Sequence, residues 1–328
     1  MSLKNFPFKQ VIVIGGTGQT GQRTLELLIE KTEAKLVATS RDVKAQLPNG
    51  PLASTVASDA SQRSSRVEWA ALDLEAEAAT VKSQLAAVAE KLSRDLPTAL
   101  IFTAAYTNVE GCETEPARCR LINETNTQAV LYWARTKFGA KLSFFSTDYV
   151  FDGADGPYSE TAPRKATSRY GQSKATVEEW LERNAPDALI IRTTGVYDYL
   201  PGSKNFLMQM LELWGQGKPT RIPSDQYSNP VWAFELAKAT IELLASGSSG
   251  VFHVAGGSYL ARTEFAREIA RVFDFNAALI GEVRTDELGQ KAKRPLRGGL
   301  KCDKVKAELG WAPATAADVL ESLRRNNL

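Results

Sequence analysis

Tyr170-Gly-Gln-Ser-Lys174 sets a phenol and an ammonium at Tyr-x-x-x-Lys spacing, which on a helix brings both to one face. A phenol near its reference pKa of about 10 exchanges protons poorly at neutral pH. An ammonium beside it favours the phenolate and moves the pKa toward the range where acid–base work is efficient. The spacing alone is common on solvated helix faces. What sharpens it is Ser143-Phe-Phe-Ser-Thr147-Asp148, a strand-like run that ends in hydroxyls 23 residues before the tyrosine. Thr147, Tyr170 and Lys174 are therefore the candidate catalytic groups.

A second motif supplies a place for a dinucleotide. Val11 to Ile14 reads as a buried strand, and Gly15-Gly16-Thr17-Gly18-Gln19-Thr20-Gly21 then opens a helix with Leu25, Leu28 and Ile29 on one side. Glycines at 15, 18 and 21 allow a sharp turn, a close backbone approach to a pyrophosphate, and tight packing of helix on strand. Where a strict NAD site places a carboxylate after the second strand, the chain has Thr39-Ser40-Arg41-Asp42. Ser40 and Arg41 suit a 2′-phosphate, so NADP(H) is favoured, while Asp42 keeps NAD(H) open. Asp73-Leu74 closes the third strand, where the carboxylate could meet the adenine amino group or cap the next helix.

These groups must be carried by an alternating series of elements. Strand-like runs at 11–14, 36–39, 67–72, 100–102, 142–145 and 188–191 are separated by helical periods at 18–31, 76–94, up to about 138, and 168–184. Such alternation predicts an α/β, Rossmann-type doubly wound parallel sheet, because every parallel connection must cross over. We expect residues 1–195, completed by about 232–256, to form the NADP(H)-binding domain. Residues 196–231 and 257–328 are expected to form a smaller substrate-binding part with a cleft between the two. Pro48 to Arg66 reads as an inserted surface loop, and Asp152 to Pro163 as a second loop between the two candidate catalytic segments.

Composition excludes several alternatives. Of 328 residues, 40 are basic and 38 acidic, and no like-charge block offers a nucleic-acid or membrane surface. No apolar run reaches the roughly 18 residues of a spanning helix, and the first residues lack a signal-peptide pattern, so a cytoplasmic protein is expected. Cys112, Cys119 and Cys302 match no zinc spacing, so no metal is expected and the compartment is reducing. His253, the single histidine, lies in a strand-like run and reads as packed rather than catalytic.

In order along the chain, these pieces resemble the extended short-chain dehydrogenase/reductases, and within them the dTDP-4-dehydrorhamnose reductase branch. The resemblance rests on residues 15–21, Thr103-Ala104-Ala105-Tyr106-Thr107, Asn123, Ser146-Thr-Asp-Tyr-Val-Phe-Asp-Gly153 and Tyr170 to Lys174. Later pieces are Ile191-Arg192-Thr193, Val196-Tyr197, Asn205-Phe206, Asp225-Gln226, Arg294-Pro295 and Leu300. It implies hydride transfer from NADPH to the 4-keto carbon of a nucleotide-linked deoxysugar. Thr147 would hydrogen-bond the carbonyl oxygen, Tyr170 would deliver the proton, and Lys174 would hold the nicotinamide ribose. Thr103, Ala104 and Ala105 would line the cofactor, with Asn123 holding the network on that side. Asp148, Asn205, Gln226 and Arg294 would face the substrate, Arg294 pairing with phosphate or standing as an ordinary surface arginine. A homodimer is compatible with the family.

Three departures bear on the substrate: the 48–66 insertion, Thr194-Gly195 before Val-Tyr, and Leu300-Lys301-Cys302. Two other readings follow from the same motifs. A nucleotide-sugar epimerase or dehydratase would keep its NAD and return the hydride. The chain is also similar to the regulatory beta subunit of methionine adenosyltransferase, in which the fold serves a catalytic partner.

Overall fold

The computed structural model describes residues 6–42 and 66–327. Apart from Arg66, the expected loop at Pro48 to Arg66 falls outside them. Elements run β1 (Gln10–Ile14), α1 (Gln19–Lys31), β2 (Lys35–Ser40), β3 (Val67–Ala71), α2 (Ala78–Ala89) and β4 (Thr98–Phe102). Next come α3 (Val109–Thr114), α4 (Pro116–Arg120), a π turn (Leu121–Asn126), α5 (Thr127–Phe138), β5 (Lys141–Thr147), α6 (Arg169–Asn184) and β6 (Leu189–Thr193). The remainder is β7 (Val196–Tyr197), α7 (Phe206–Gly215), β8 (Thr220–Pro223), β9 (Tyr227–Ser228), β10 (Val231–Trp232) and α8 (Ala233–Ala245). It closes with β11 (Gly250–His253), β12 (Leu260–Ala261), α9 (Arg262–Val272), β13 (Ile280–Val283), α10 (Asp303–Leu309) and α11 (Ala316–Asn327).

Seven strands form one sheet in the order β11-β6-β5-β4-β1-β2-β3, and every neighbouring pair is parallel. The period of two explains why both faces are dry. Val11 and Val13 face a core with Leu25 and Leu28 of α1 and Leu236 and Leu244 of α8. Ile12 and Ile14 face the opposite core with Leu85 of α2, Val130 of α5 and Val177 and Leu181 of α6. Strands buried on both sides read as unbroken apolar runs, as β1 and β4 do.

A third apolar cluster lies in the later chain, where Tyr197, Leu207, Met210 and Trp214 pack on Phe265, Ile269, Leu320 and Leu323. A buried ion pair joins it to the sheet domain. Arg23 of α1 donates from Nε to Asp198 at 2.5 Å, and Asp198 also accepts from Trp232 Nε1 at 3.0 Å. The ends of β1, β4, β5 and β6 thus open toward the later segments, where a doubly wound sheet takes its ligand.

Candidate active site

A cleft of about 1070 Å³ runs across the carboxyl ends of the central strands. Its floor begins at the glycine turn. Gly15 has φ +85°, donates its N–H to Thr39 Oγ1 and accepts from Gly18 N at 3.0 Å. A Cβ on Gly21 would stand 2.2 Å from the Gly15 carbonyl, so only glycine lets α1 start this close to β1. Gly18 caps α1 without a side-chain hydrogen bond, which leaves the first N–H groups of the helix unclaimed by side chains and suits an anion. Thr103 Oγ1 donates to the carbonyls of Ile14 and Gly15 and clamps the turn to β4.

Gly15, Thr17, Gly18, Gln19, Thr20, Gly21, Ser40, Arg41, Asp73, Leu74, Thr103, Ala104 and Ala105 all line the cleft. Ser40 Oγ lies 3.4 Å from Thr17 Oγ1, bringing the second strand end against the turn. Asp73 does not cap the following helix, because the N-cap of α2 is Glu77. Instead Asp73 accepts from Glu75 N at 3.0 Å in a tight turn.

At the other end of the cleft β5 delivers Thr147 and α6 delivers Tyr170 and Lys174. A Cβ on Gly171 would stand 2.1 Å from the Tyr149 carbonyl, so the glycine within the Tyr-x-x-x-Lys run permits this approach. Thr147 Oγ1 donates to Asp148 at 3.2 Å and hydrogen-bonds the Tyr170 phenol, whose ring meets Tyr149 edge-on at 5.8 Å. Lys174 Nζ donates to the Phe145 carbonyl at 2.9 Å and sits 4.5 Å from the centre of the Phe144 ring.

The expected lowering of the phenol pKa by the ammonium is corrected here. Burial holds Tyr170 above its ordinary range, Tyr149, Cys112 and Asp148 add to that, and the hydrogen bond from Thr147 opposes it. Burial also lowers Lys174 to about 8, since its ammonium faces a carbonyl and a ring in the dry seam between β5 and α6. The phenol therefore holds its proton at neutral pH, the state of a proton donor.

Other expected site residues take different places. Asn123 is buried and outside the cleft lining. It accepts from Tyr106 N at 2.8 Å and donates to Tyr106 O at 3.1 Å, fixing a backbone that does line the cleft. Asp148 lines the cleft, but its carboxylate is engaged by Thr147, Thr194 and the Gly299 N–H, and burial raises its pKa. Thr194, one of the departures from the family pattern, thus braces the end of β5. Asn205 lies on the cleft wall, caps α7 and donates to Gln19 Oε1 at 2.7 Å, tying the later chain to the glycine turn. Gln226 does not reach the wall, because its amide is spent on Thr285 Oγ1 at 3.0 Å. Arg294 stands behind the rim, donating to the Tyr149 hydroxyl at 3.3 Å. His253 is fully buried, edge-on to Phe151 at 6.0 Å.

Two groups had no signal in the sequence. Arg118 lines the cleft and lies over the Tyr106 ring at 4.6 Å, held by Glu75. Arg262 opens α9 with its guanidinium 4.3 Å from the centre of the Phe206 ring, and it pairs with no carboxylate among the described residues. One side of it meets solvent, yet surrounding protein and nearby Arg294 keep its pKa below the usual arginine range. Neither arginine belongs to a local motif, so only the fold reveals them.

A family model described as the RmlD substrate binding domain matches residues 9–326. The chain belongs to this family. A relative in Haloferax volcanii, named probable low-salt glycan biosynthesis reductase Agl14, is 34% identical over 230 residues, covering 68% of this chain and 76% of its own. The dTDP-4-dehydrorhamnose reductase of Sinorhizobium fredii is 30% identical over 234 residues, covering 68% and 78%. Among solved structures, dTDP-4-dehydrorhamnose reductase from Bacillus anthracis in complex with NADP aligns with TM-score 0.78 at 23% identity, over 98% of this chain and all of that one. That likeness shows that this RmlD-family chain shares the reductase fold.

Proposed function

We propose that this RmlD-family chain is an NADPH-dependent reductase of the 4-keto group of a nucleotide-linked deoxysugar, of the dTDP-4-dehydrorhamnose type. The observation that carries the reading is the convergence of Thr147, Tyr170 and Lys174 on the same cleft as the glycine turn. The turn fits the cofactor. Its glycines leave room where Cβ atoms would intrude, the start of α1 offers N–H groups, and Ser40 and Arg41 line the same cleft with a hydroxyl and a guanidinium suited to a 2′-phosphate. Relatives named as keto-sugar reductases support the substrate class.

When bound, NADPH supplies the hydride for the carbonyl carbon. Thr147 Oγ1 donates to the substrate oxygen and orients it toward the phenol. Tyr170 passes its proton to that oxygen as negative charge develops, completing the alcohol and leaving a phenolate. Lys174, which donates to the Phe145 carbonyl, would hold the nicotinamide ribose, and its ammonium would offset the phenolate. Asn123 holds the Tyr106 backbone of the cleft wall, and Asp148, itself on the cleft lining, braces Thr147 from behind. Arg294 and Arg262 supply cations for the sugar nucleotide's diphosphate, with Asn205 on the connecting wall. Three unpaired thiols suit a cytoplasmic, reducing setting.

The test is a panel of nucleotide-linked keto-sugars with NADPH and with NADH, followed by absorbance of the reduced nicotinamide. One NADPH consumed per 4-keto-sugar, with NADH slower, is the expected result. Product formation without net consumption of reduced cofactor would replace this reading with a dehydratase or epimerase that returns its hydride. Inertness toward every 4-keto substrate would remove it.

A further inference from the structure

We infer that Cys112 and Cys119 are a redox-active dithiol, closed to a disulfide by peroxide and reopened by thiols, and that closure slows the catalytic centre in front of them. Cys112 lies in α3 and Cys119 in α4, and their side chains are neighbours, each sulfur shifting the proton affinity of the other. Both pack in one small cluster with Val109, Tyr170 and Ala292, directly against the candidate proton donor. Cys302 lies elsewhere, facing the carbonyls of Ala255 and Leu300.

The two sulfurs have different surroundings, and that difference assigns their roles. The neighbouring Cys112 sulfur, Ser173 and the Asn123 amide, which donates to Cys119 Sγ at 3.6 Å, together hold the Cys119 pKa below the usual thiol range. Cys119 also lines a surface depression of about 280 Å³, with Arg120, Arg169 and Gln172, which offers a small oxidant a way in. Cys112 is fully buried and points its thiol at the Tyr106 carbonyl, and the neighbouring sulfur and burial push its pKa up. Cys119 is thus the attacking thiolate and Cys112 the resolving thiol.

The chemistry closes with peroxide as oxidant. The Cys119 thiolate attacks one peroxide oxygen and breaks the O–O bond, giving the sulfenic acid and hydroxide. Cys112 sulfur then attacks the sulfenic sulfur, forming the S–S bond and releasing water. The two thiols are oxidised by two electrons and peroxide is reduced to the level of water. Two equivalents of an external thiol reverse the step by exchange.

Closure draws the two neighbouring sulfurs to a bonded separation of roughly 2.05 Å. It removes the Cys112 donor from the Tyr106 carbonyl and the Cys119 acceptor from Asn123, both of which support the cleft wall. Lys174, whose charge senses both sulfurs, and Tyr170, which packs on them, must shift with α3 and α4. A displacement near 1 Å at a reacting group costs on the order of a hundredfold in rate, so a fall of tenfold or more is expected.

The experiment uses the full chain as the Cys302→Ser variant, reduced and then treated with hydrogen peroxide. Intact mass and peptide mapping should show loss of two hydrogens and a Cys112–Cys119 crosslink, both reversed by dithiothreitol. In Cys112→Ser, the same treatment should yield a Cys119 sulfenic acid trapped by dimedone and no crosslink. The mass arm stands whatever reaction the chain performs; only the rate arm rests on the reductase reading. No crosslink in the folded parent chain, or one between separate chains, would overturn the dithiol assignment. A mapped crosslink with turnover unchanged would overturn the switch, provided that the reduced protein shows reductase activity.

Discussion

Replacing Tyr170 by phenylalanine removes one oxygen and with it the group assigned to protonate the substrate. The residue is buried, and its hydroxyl hydrogen-bonds Thr147, so the ring stays packed against Tyr149. Losing that bond costs about 0.5–1.5 kcal/mol, offset in part because a buried hydroxyl no longer needs desolvating. Stability should therefore change by less than about 1 kcal/mol. The glycine turn proposed to take the cofactor's phosphates is not touched by the change, so NADPH affinity should hold within about a factor of two, roughly 0.4 kcal/mol. A positioned general acid contributes about 10²–10⁴-fold, or about 3–5 kcal/mol on the barrier, and kcat should fall by that amount. Steady-state oxidation of NADPH with a 4-keto-sugar, titration of NADPH by fluorescence, and thermal melting measure the three quantities separately. Turnover within threefold of the parent, with unchanged melting, would take Tyr170 out of the chemistry. A collapse of NADPH affinity equal to the loss in rate would show that the phenol serves binding instead.

Lys174→Met should weaken NADPH binding and lower turnover together. In the parent, affinity should decline as pH rises through about 8, where the buried ammonium loses its proton, and the variant should lack that decline in a fluorescence titration. Asp198→Asn leaves the Arg23 guanidinium buried with Glu26, at 2.8 Å, as its one acidic partner among the described residues, and should cost about 3–5 kcal/mol in urea unfolding. His253 is lowered from 6.5 to about 3 by burial and by Arg192, so between those pH values the unfolded chain binds more protons than the folded one. Stability should fall as pH drops through that window, by up to about 1.4 kcal/mol per unit for this one group. His253→Gln should flatten the slope of stability against pH, and equal slopes in the two proteins would refute it.

Much of the sheet was legible because buried parallel strands are written as short apolar runs. Val11 to Ile14 and Leu100 to Phe102 were found that way, though β4 and β5 extend further at one or both ends. The glycine turn and the Thr147, Tyr170 and Lys174 triplet were legible because each depends on local spacing. Three things were not. The helix expected to run to about Phe138 is broken at Glu115-Pro116 and widened at 121–126, since hydrophobic period does not register a single extra residue. The sign of the Tyr170 shift depends on how dry the seam around it is, which residue types cannot report. Arg262 comes beside Phe206 only because α9 folds back on a segment some fifty residues away in the chain.

The widened turn also has a consequence for the chain's tolerance of length changes. It carries Asn123 and Asn126, whose amides grip the Tyr106 backbone on one side and the Leu74 and Ala76 carbonyls on the other, while the Thr127 hydroxyl caps the Ile122 carbonyl. Each helical residue turns the chain by about 100°, so excising one residue between 121 and 126 would restore an ordinary helix and swing one grip out of register with the other. An insertion or deletion here is not absorbed, because the spacing between the two asparagines sets the distance between the two loops that border the cleft.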